Sequence, residues 1–476
     1  MNDYIIVGAG PTGITIAYLL GKAGKKCILI DQNESIGGCH RVKRVNGMFT
    51  EHSPRVYLSS YVNTKKILSM MNSSFYDLFT PYNFSILYIG LEITKHLSFW
   101  ENVILFSEFI KFIFSPSYNK TVSVKTFTEK HGFSTSSISF LDRLCRFTDG
   151  AGMERYSVYQ LLSLINQHLW YGLYQPTLPN DIGLFPIMNT ALQDTGNVDL
   201  QLNKTVTSIL FENGIASGVQ IGTQMIYANN IVLAVPPPAL YQLLQSSPQP
   251  IPNAFGSITE WTANSSYYID VAATFHWDTQ LDLPIVWGFP YSDWGLISIP
   301  LTQYMNMNDT RSKTVISTCI TYMDQPSLFL GLTANQCTTK PQLVDEMFRQ
   351  LKQTYPTLPT PTFSILSPTV YRTDKWLDQD SGFVKSTTAP YLSEKGTIPN
   401  LFQVGPQNGN SSSSFTTFEA AVTNGISFVN QQIGPTVSIS SPVELITVIR
   451  WVIIVLLLIL LIALIRYVIK FRSGST

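Results

Sequence analysis

Residues 4–13, YIIVGAGPTG, decide the fold of this chain. An apolar run leads into three closely spaced glycines, and a second apolar segment, ITIAYLL, follows them. Gly8 permits a tight turn, Gly10 lets a phosphate approach the backbone, and Gly13 lets a helix pack closely on the preceding strand. The pattern predicts a strand, a turn and a helix whose N-terminal amides face the pyrophosphate of a dinucleotide.

The sequence predicts a second strand at residues 26–30, and Asp31 follows it directly. An acidic residue about 20 positions after the glycine turn is the second part of the dinucleotide pattern, because its carboxylate binds ribose hydroxyls. The same negative charge repels a 2′-phosphate, which favours FAD or NAD over NADP. Gly37 and Gly38 follow, and a glycine pair lets the chain run close beside a cofactor.

Composition limits the remaining function classes. The 476 residues include 31 basic and 31 acidic side chains, so the formal net charge is +0 and gives no attraction to nucleic acid. Only 13% of the residues are charged and 45% are hydrophobic, which predicts a large buried core. The five cysteines are scattered and form no CxxC pair, so we expect neither a disulfide framework nor a metal site.

The C-terminal region predicts a transmembrane helix. Residues 451–465, WVIIVLLLILLIALI, are uninterrupted apolar sequence between Arg450 and Arg466. With their flanks, residues 445–469 exceed the roughly 20 residues needed to cross a bilayer. We therefore expect a single-pass span that contacts lipid, joined to the rest of the chain by a linker at residues 434–443. The alternative is a buried core helix.

Two arguments about the orientation of this span disagree. Arg466, Lys470 and Arg472 follow the span, and by the positive-inside rule they place the tail in the cytosol. No upstream signal that would export the large preceding domain is visible in the sequence. We expect a tail anchor whose soluble domain stays cytosolic.

The N-terminal pattern resembles that of the FAD-dependent amine oxidase superfamily, which includes protoporphyrinogen oxidases, phytoene desaturases and, more distantly, UDP-galactopyranose mutases. Val206, in LNKTVTSILFENG, resembles the strand on the adenine side of FAD in that family. Residues 231–236, IVLAVP, resemble its signature strand, and the segment from Gly405 through Phe418 and Glu419 resembles its C-terminal FAD motif. The resemblance covers about residues 1–435.

The resemblance implies an α/β fold with a Rossmann-like, discontinuous FAD-binding domain (the GR2 type) and a mixed α+β substrate or cap domain. The C-terminal transmembrane helix predicted from the apolar run follows these domains. The FAD-binding domain is expected at residues 1–60, 176–245 and 395–433, and the cap domain at residues 61–175 and 246–394. No cysteine lies in residues 370–425, where some relatives attach the flavin, so we expect non-covalent FAD.

The resemblance also names site residues. Those expected to bind FAD are Gly8, Gly10, Pro11, Thr12, Gly13, Asp31, Gly37, Gly38, Arg41, Pro54, Arg55, Val206, Gly405, Thr417, Phe418 and Glu419. Arg55 is the catalytic candidate, because an arginine over the isoalloxazine would stabilise negative charge on reduced flavin. A salt bridge at the surface or between domains is the alternative role for Arg55.

The chain departs from the family at several positions. Cys39 stands where the family often has arginine, so His40 or Arg41 would neutralise the pyrophosphate. Pro406 stands where the family has an acidic residue, so Gln407 and Asn408 would supply those hydrogen bonds. Thr417 stands where amine oxidases carry a tyrosine. The flavin-bridging lysine of those enzymes also has no counterpart, because no Lys or Arg occurs between Lys204 and Arg311.

The sequence therefore predicts a membrane-anchored FAD-dependent oxidoreductase that takes a hydride from an organic substrate, lipophilic or amine-like. A standard amine oxidase is disfavoured. One alternative is a catalytically degenerate flavin-fold protein with a structural or interaction role at a membrane. Another is a redox-neutral enzyme similar to the galactopyranose mutases, for which Arg143, Arg146 and Arg155 could hold a diphosphate.

Overall fold

The structure is a computed structural model of the chain. It describes residues 2–115, 120–149, 152–247, 254–258, 260–261, 266–267, 271–284, 291–380, 383–384, 391–413 and 417–473.

The strands are β1 (Asn2–Val7), β2 (Cys27–Ile30), β3 (Val42–Val45), β4 (Met48–Glu51), β5 (Tyr57–Leu58), β6 (Phe79–Ser85), β7 (Gly172–Pro176), β8 (Val198–Gln201), β9 (Ser208–Glu212), β10 (Ile215–Ile221), β11 (Gln224–Leu233), β12 (Ser266–Tyr267), β13 (Val271–Trp277), β14 (Ile297–Pro300), β15 (Thr314–Ile320), β16 (Phe363–Leu366), β17 (Val370–Arg372), β18 (Trp376–Asp378), β19 (Phe383–Val384) and β20 (Leu401–Gln403).

The α-helices are α1 (Pro11–Lys22), α2 (Val62–Met70), α3 (Phe75–Leu78), α4 (Ile86–His96), α5 (Phe99–Phe114), α6 (Val124–Lys130), α7 (Thr135–Asp149), α8 (Val158–His168), α9 (Leu184–Asp194), α10 (Pro237–Ser246), α11 (Lys340–Thr354), α12 (Phe418–Ile433) and α13 (Leu445–Ser473).

A seven-stranded sheet forms the first domain. Its order is β8-β2-β1-β11-β10-β9, and β20 also pairs with β11. The long strand β11 has two partners along one edge: its first half pairs antiparallel with β10, and its second half pairs parallel with β20. On its other edge β11 pairs parallel with β1. The carboxyl ends of β1 and β20 therefore lie at the same edge of the sheet. These two strands come from the beginning of the chain and from the segment shortly before α12.

The sequence of these strands explains their central position. Ile5 and Ile6 of β1, and Ile231 and Val232 of β11, are fully buried. Parallel strands that are covered on both faces need such continuous apolar runs. Helices α1 and α12 pack on one face, where a side chain on Gly425 would stand 3.1 Å from the Thr12 carbonyl oxygen.

The second domain is built differently. Four antiparallel strands, in the order β14-β15-β13-β16, form its sheet. The helices α4 to α8 share an apolar cluster that reaches across to this sheet through Val315. The described part of residues 58–175 is mostly helical, apart from β6 and β7, which form a three-stranded sheet with β5.

Glu419, at the start of α12, fastens α2 to the first domain. Its two carboxylate oxygens accept hydrogen bonds from the backbone and side chain of Asn63 and from the backbone and side chain of Thr64, at 2.7–2.9 Å. The carboxylate therefore caps the N-terminus of α2 rather than that of its own helix. Burial raises the pKa of Glu419, and these four donors oppose that rise.

The C-terminal helix α13 stands apart from both cores. Its most apolar 18-residue window, within Leu445–Lys470, has a mean hydropathy of 3.3 and is 0% buried, so the helix is long and apolar enough to cross a membrane. The alternative of a buried core helix is wrong.

The segment before α13 is docked rather than loose. Ser440 exchanges two backbone hydrogen bonds with the Asn63 side chain, at 2.8 and 2.9 Å. The first turn of α13 is held by Asn166, whose Oδ1 accepts from the Ile446 amide at 2.9 Å. The residues predicted to be a linker thus carry specific polar contacts with α2 and with the end of α8.

Replacing Glu419 by alanine should destabilise the chain by about 3 kcal/mol, because four buried or partly buried donors lose their acceptor. The expected result is a lower thermal midpoint of the full chain in detergent, with Glu419→Gln falling between the alanine variant and the wild type. Glu212→Ala, at an exposed strand end, is the matched control. Equal midpoints for Glu419→Ala and Glu212→Ala would contradict the capping role.

Candidate cofactor-binding site

The first glycine turn has the geometry that the sequence predicts. Gly8 has a φ of 104°, which side chains rarely adopt, and a Cβ there would stand 2.4 Å from the Ala234 carbonyl oxygen. A Cβ on Gly13 would stand 1.9 Å from the Gly8 carbonyl oxygen. Both glycines are therefore required by backbone packing, and α1 starts directly at the end of β1.

Helix α1 begins without a side-chain cap. Its N-cap is Gly10, its first residue is Pro11, and the N-cap position provides no side-chain capping hydrogen bond. Pro11 has no N–H to satisfy. The amides of Thr12 and Gly13 have no intrahelical acceptors, because they lie in the first turn of the helix. An uncapped first turn at the carboxyl edge of a parallel sheet suits an anion such as a pyrophosphate.

Asp31 holds the glycine turn in place. One carboxylate oxygen accepts from the Ala9 amide at 2.7 Å, and the other accepts from the backbone and side chain of Asn33, both at 2.8 Å. A carboxylate offers roughly four acceptor positions. These three bonds leave one of them for a ribose hydroxyl.

The glycine pair packs on the first turn. The Gly37 amide donates to the Ala9 carbonyl at 2.7 Å. A Cβ on Gly38 would stand 3.0 Å from the Gly10 Cα, while one on Gly37 would meet the ring of Phe185 at 2.4 Å. The pair thus follows the first turn closely, as predicted, and Gly37 is also constrained by packing against α9.

The segment before β9 lies beside the same acidic residue. The Lys204 amide donates to the Asp31 carbonyl and the Asn203 amide donates to the Asn33 carbonyl, both at 2.9 Å. Val206, two residues later, is buried in the apolar cluster of the sheet. Its predicted position on the adenine side of a dinucleotide is consistent with these contacts.

The second glycine turn meets the first at the same edge of the sheet. The Val404 amide donates to the Leu233 carbonyl at 3.0 Å, and the Ala234 amide donates to the Val7 carbonyl at 2.8 Å. These bonds place Gly405 and Gly8 at the ends of strands that both flank β11. The convergence of the two turns, on which the FAD prediction depends, is present.

The polar residues after Gly405 are engaged within the protein. The Gln407 amide donates to the Gln403 side chain at 2.8 Å. Asn408 accepts from the Gly405 amide at 2.8 Å and donates to the Leu392 carbonyl at 3.0 Å. Their side chains therefore stabilise the turn, and these contacts do not support the prediction that they replace the family's acidic residue toward the cofactor.

Helix α12 starts beside α1. Thr417 is its N-cap, and its hydroxyl accepts from the Ala420 amide at 3.1 Å. The Thr12 hydroxyl donates to the Ala421 carbonyl at 3.0 Å, which joins the first turns of the two helices. The ring of Phe418 meets the ring of His40 edge-on at 5.0 Å. Burial holds the pKa of His40 well below its usual value, so this imidazole is neutral.

Arg41 has a different partner from the one predicted. Its guanidinium binds both oxygens of Asp380, at 2.8 and 3.0 Å, and its side chain is buried. Among the described residues its Nε has no hydrogen-bond partner. The described contacts thus pair Arg41 with a carboxylate 339 positions away, and they do not support its predicted role of neutralising a pyrophosphate.

Pro54 and Arg55 lie in the turn between β4 and β5. The Arg55 guanidinium donates to the Cys39 carbonyl, directly after the glycine pair. Its side chain is partly buried, and Arg55 lines the same small cavity as Glu51 and Tyr57. Arg55 therefore brings positive charge to the inner side of the glycine-pair loop, as its predicted role requires.

Glu51, the last residue of β4, is a site residue that the sequence-based assignment missed. Burial raises its pKa to about 7, and the nearby Arg55 opposes that rise. Its Oε1 has no hydrogen-bond partner within the described ranges. It faces a cavity of about 10 Å³ that Arg41, Arg55 and Asn180 also line. The sequence held a signal for this residue, because an acidic side chain in a buried strand, four positions before Arg55, is unusual.

Glu51 should make stability fall as the pH rises. Its folded-state pKa of about 7 lies above the ordinary value of 4.5. Its contribution is therefore complete below pH 4.5 and is lost as the pH rises through 7. The side chain of Glu51→Gln stays neutral at every pH. The free energy of unfolding of this variant relative to wild type should therefore increase across this window by about 3 kcal/mol, which is measured as a rising difference in thermal midpoint.

The matched control for this pH series is Glu212→Gln, at an exposed position, whose midpoint should track that of the wild type. A difference between Glu51→Gln and wild type that does not change with pH would refute the assignment of a buried, proton-binding carboxyl at Glu51.

Comparison with known proteins supports this geometry. A family model described as an NAD(P)-binding Rossmann-like domain matches residues 6–72. A thiamine thiazole synthase from Aeropyrum pernix is 46% identical over 37 residues, which is 8% of this chain and 14% of that protein. The match therefore spans about a seventh of that curated relative.

Solved structures match over nearly the whole chain. A putrescine oxidase with bound putrescine has a TM-score of 0.61 at 14% identity, covering 91% of this chain and 99% of that one. Cyclohexylamine oxidase from Brevibacterium oxydans has a TM-score of 0.58 at 12% identity, with coverage of 91% and 99%. The chain therefore shares the overall fold of these two amine oxidases over nearly its whole length.

Proposed function

We propose that this protein binds FAD non-covalently and is an oxidoreductase anchored to a membrane by α13. The observation that carries the proposal is the convergence of both glycine turns on one uncapped helix end, with the carboxylate of Asp31 beside it. Bound FAD would accept a hydride from a C–H bond of the substrate.

The residues present fit the ADP half of FAD. The amides of Thr12 and Gly13 would bind the pyrophosphate, helped by the positive end of the α1 dipole. The remaining acceptor position of Asp31 would bind a ribose hydroxyl, and its charge disfavours a 2′-phosphate. Neutral His40 and the Asp380-paired Arg41 add no free positive charge here, so the backbone amides carry most of the binding.

Two side chains would act on the flavin side of the site. Arg55 would stabilise negative charge that develops next to it, as an arginine does most effectively where water is excluded. Glu51 would hold a proton near neutral pH, because burial has brought its pKa to about 7. A carboxyl with such a pKa is suited to give or take a proton at a reacting centre.

The substrate that fits best is lipophilic. The apolar helix α13 contacts the aromatic-rich helix α5 of the second domain: the Arg450 guanidinium donates to the Ile113 carbonyl at 2.7 Å. A substrate drawn from the bilayer would enter beside this contact. The missing lysine argues against the chemistry of standard amine oxidases.

The competing functions make different demands. A degenerate flavin-fold protein would keep FAD but never reduce it. A redox-neutral enzyme would need cap arginines free for a diphosphate. Arg146, however, is paired with Asp142 at 3.0 Å and stacks on Tyr322 at 4.3 Å. No contact of the described residues favours the redox-neutral alternative.

The purified full chain should show flavin absorbance that bleaches under anaerobic conditions when a lipophilic substrate is added. Arg55→Met should slow this bleaching by about 100-fold, because it removes one preorganised positive group from the site. Arg44→Met is the matched control, since Arg44 forms a solvent-accessible pair with Asp181, and it should leave the rate unchanged.

Dithionite, which reduces flavin without using the substrate site, controls for FAD content in every variant. A chain that dithionite bleaches but that no organic donor reduces would favour the degenerate protein. A chain purified without any flavin absorbance would rule out the proposed function.

A further inference from the structure

Helix α5 exposes its aromatic residues. Phe99, Phe106 and Phe114 are 72%, 64% and 76% exposed, and Val103 and Ile110 between them are 41% and 38% exposed. These five residues are three or four positions apart, so they form one stripe along the helix. We call this stripe, together with Trp100, which is 71% exposed, the α5 apolar face.

The opposite side of the same helix buries its acidic residues. Glu101 is 6% exposed and accepts hydrogen bonds from the amides of Ser98 and Ser134 and the hydroxyl of Ser137, which together hold its pKa at about 2. Glu108 is 2% exposed and pairs with Lys111 at 2.5 Å. The polarity of α5 is therefore the reverse of that expected for a helix in contact with water.

The α5 apolar face ends at the base of the candidate span. The Ile113 carbonyl, in the last turn of α5, accepts from the Arg450 guanidinium at 2.7 Å. The Tyr171 hydroxyl accepts from the Val443 amide at 2.7 Å, and the neighbouring Trp170 is 54% exposed. The entry of α13 is thus surrounded by exposed aromatic side chains at the ends of α5 and α8.

The preceding helix extends the same surface. Helix α4 exposes Leu87 and Leu91, at 56% and 50%, one turn apart. Lys95 on α4 and Lys111 on α5 are its exposed cations, and each is paired with a glutamate of its own helix. Lysines can extend their charge toward lipid headgroups while their stems stay in apolar surroundings.

We propose that the α5 apolar face docks into the surface of the bilayer that α13 enters, so that the protein has a second, in-plane membrane contact. This inference rests on the membrane part of the proposed function. Its chemistry is that of interfacial helices, which bury large apolar side chains at the headgroup boundary and keep aromatic residues there. Four hydrogen bonds join the start of α13 and the two residues before it to α5, α8 and Tyr171, and they keep the face near the membrane.

Docking has a consequence for the proposed reaction. The α5 face belongs to the helical part of the second domain, whose apolar cluster includes Phe112 on the inner side of α5. A lipophilic substrate would then pass from the bilayer into this domain without crossing water. A second copy of the chain is the other apolar partner that could cover the face.

The test uses the full chain reconstituted in phosphatidylcholine vesicles that contain brominated lipid, which quenches tryptophan emission at short range. Trp100 is isolated by subtracting the signal of the Trp100→Phe variant, and Trp451 by subtracting that of Trp451→Phe. Trp294, which is fully buried in the second domain, gives the unquenched reference through Trp294→Phe. We expect loss of Trp100 emission together with loss of Trp451 emission.

Quenching of Trp451 without quenching of Trp100 would overturn the docking inference and leave the span and the proposed oxidoreductase standing. Unquenched Trp100 in a chain that forms concentration-dependent dimers in detergent would also overturn it, and would assign the face to a second copy. Release of the whole chain from the vesicles by alkaline carbonate would remove the membrane part of both proposals, whereas flavin bleaching would still report on the enzyme.

A second measurement guards against misfolding of the variants. An environment-sensitive label on Phe106→Cys should shift to an apolar emission when the chain is reconstituted into full bilayers. The same label on Leu328→Cys, at a position 91% exposed, should not shift. Equal shifts at both positions would contradict a specific docking face.

Discussion

The parallel pairing of β11 with both β1 and β20 is the constraint on which the rest of the structure depends. Val7, Leu233 and Gln403 end these strands in register. Because β1 and β20 each lead into a glycine turn, this register brings a turn from the beginning of the chain and one from the segment before α12 to the same edge. Asp31, α1 and α12 are then placed around a common space, and the hydrogen bond from Thr12 to Ala421 joins the two helices there.

Local signals in the sequence were sufficient for this framework. The first glycine turn, the buried apolar strands beside it and the acidic end of β2 lie within about 30 residues of one another. Each can be recognised from its own local residues, because the dinucleotide-binding turn requires one backbone conformation. The C-terminal motif was recognisable for the same reason. In the structure a side chain on Gly8 or Gly13 would clash with the backbone, and Asp31 accepts a hydrogen bond from the Ala9 amide.

Polar pairs between distant segments could not be predicted in this way. The pairing of Arg41 with Asp380 and the capping of α2 by Glu419 join residues more than 300 positions apart. In a single sequence these side chains are only charges with no visible partner. The same limit applies to α5: its periodicity shows one polar and one apolar face but does not show which face points inward.

Asn63 links the anchor to the cofactor end of the molecule. Its side-chain amide donates to Glu419 of α12, to Thr423 one turn later and to the Ser440 carbonyl. A chain shortened for expression at the end of α12, near residue 433, would strip this amide of its outermost acceptor and expose the groove that the following segment fills. Versions of the protein without α13 should therefore be cut after Ser440, since the folded unit extends beyond α12.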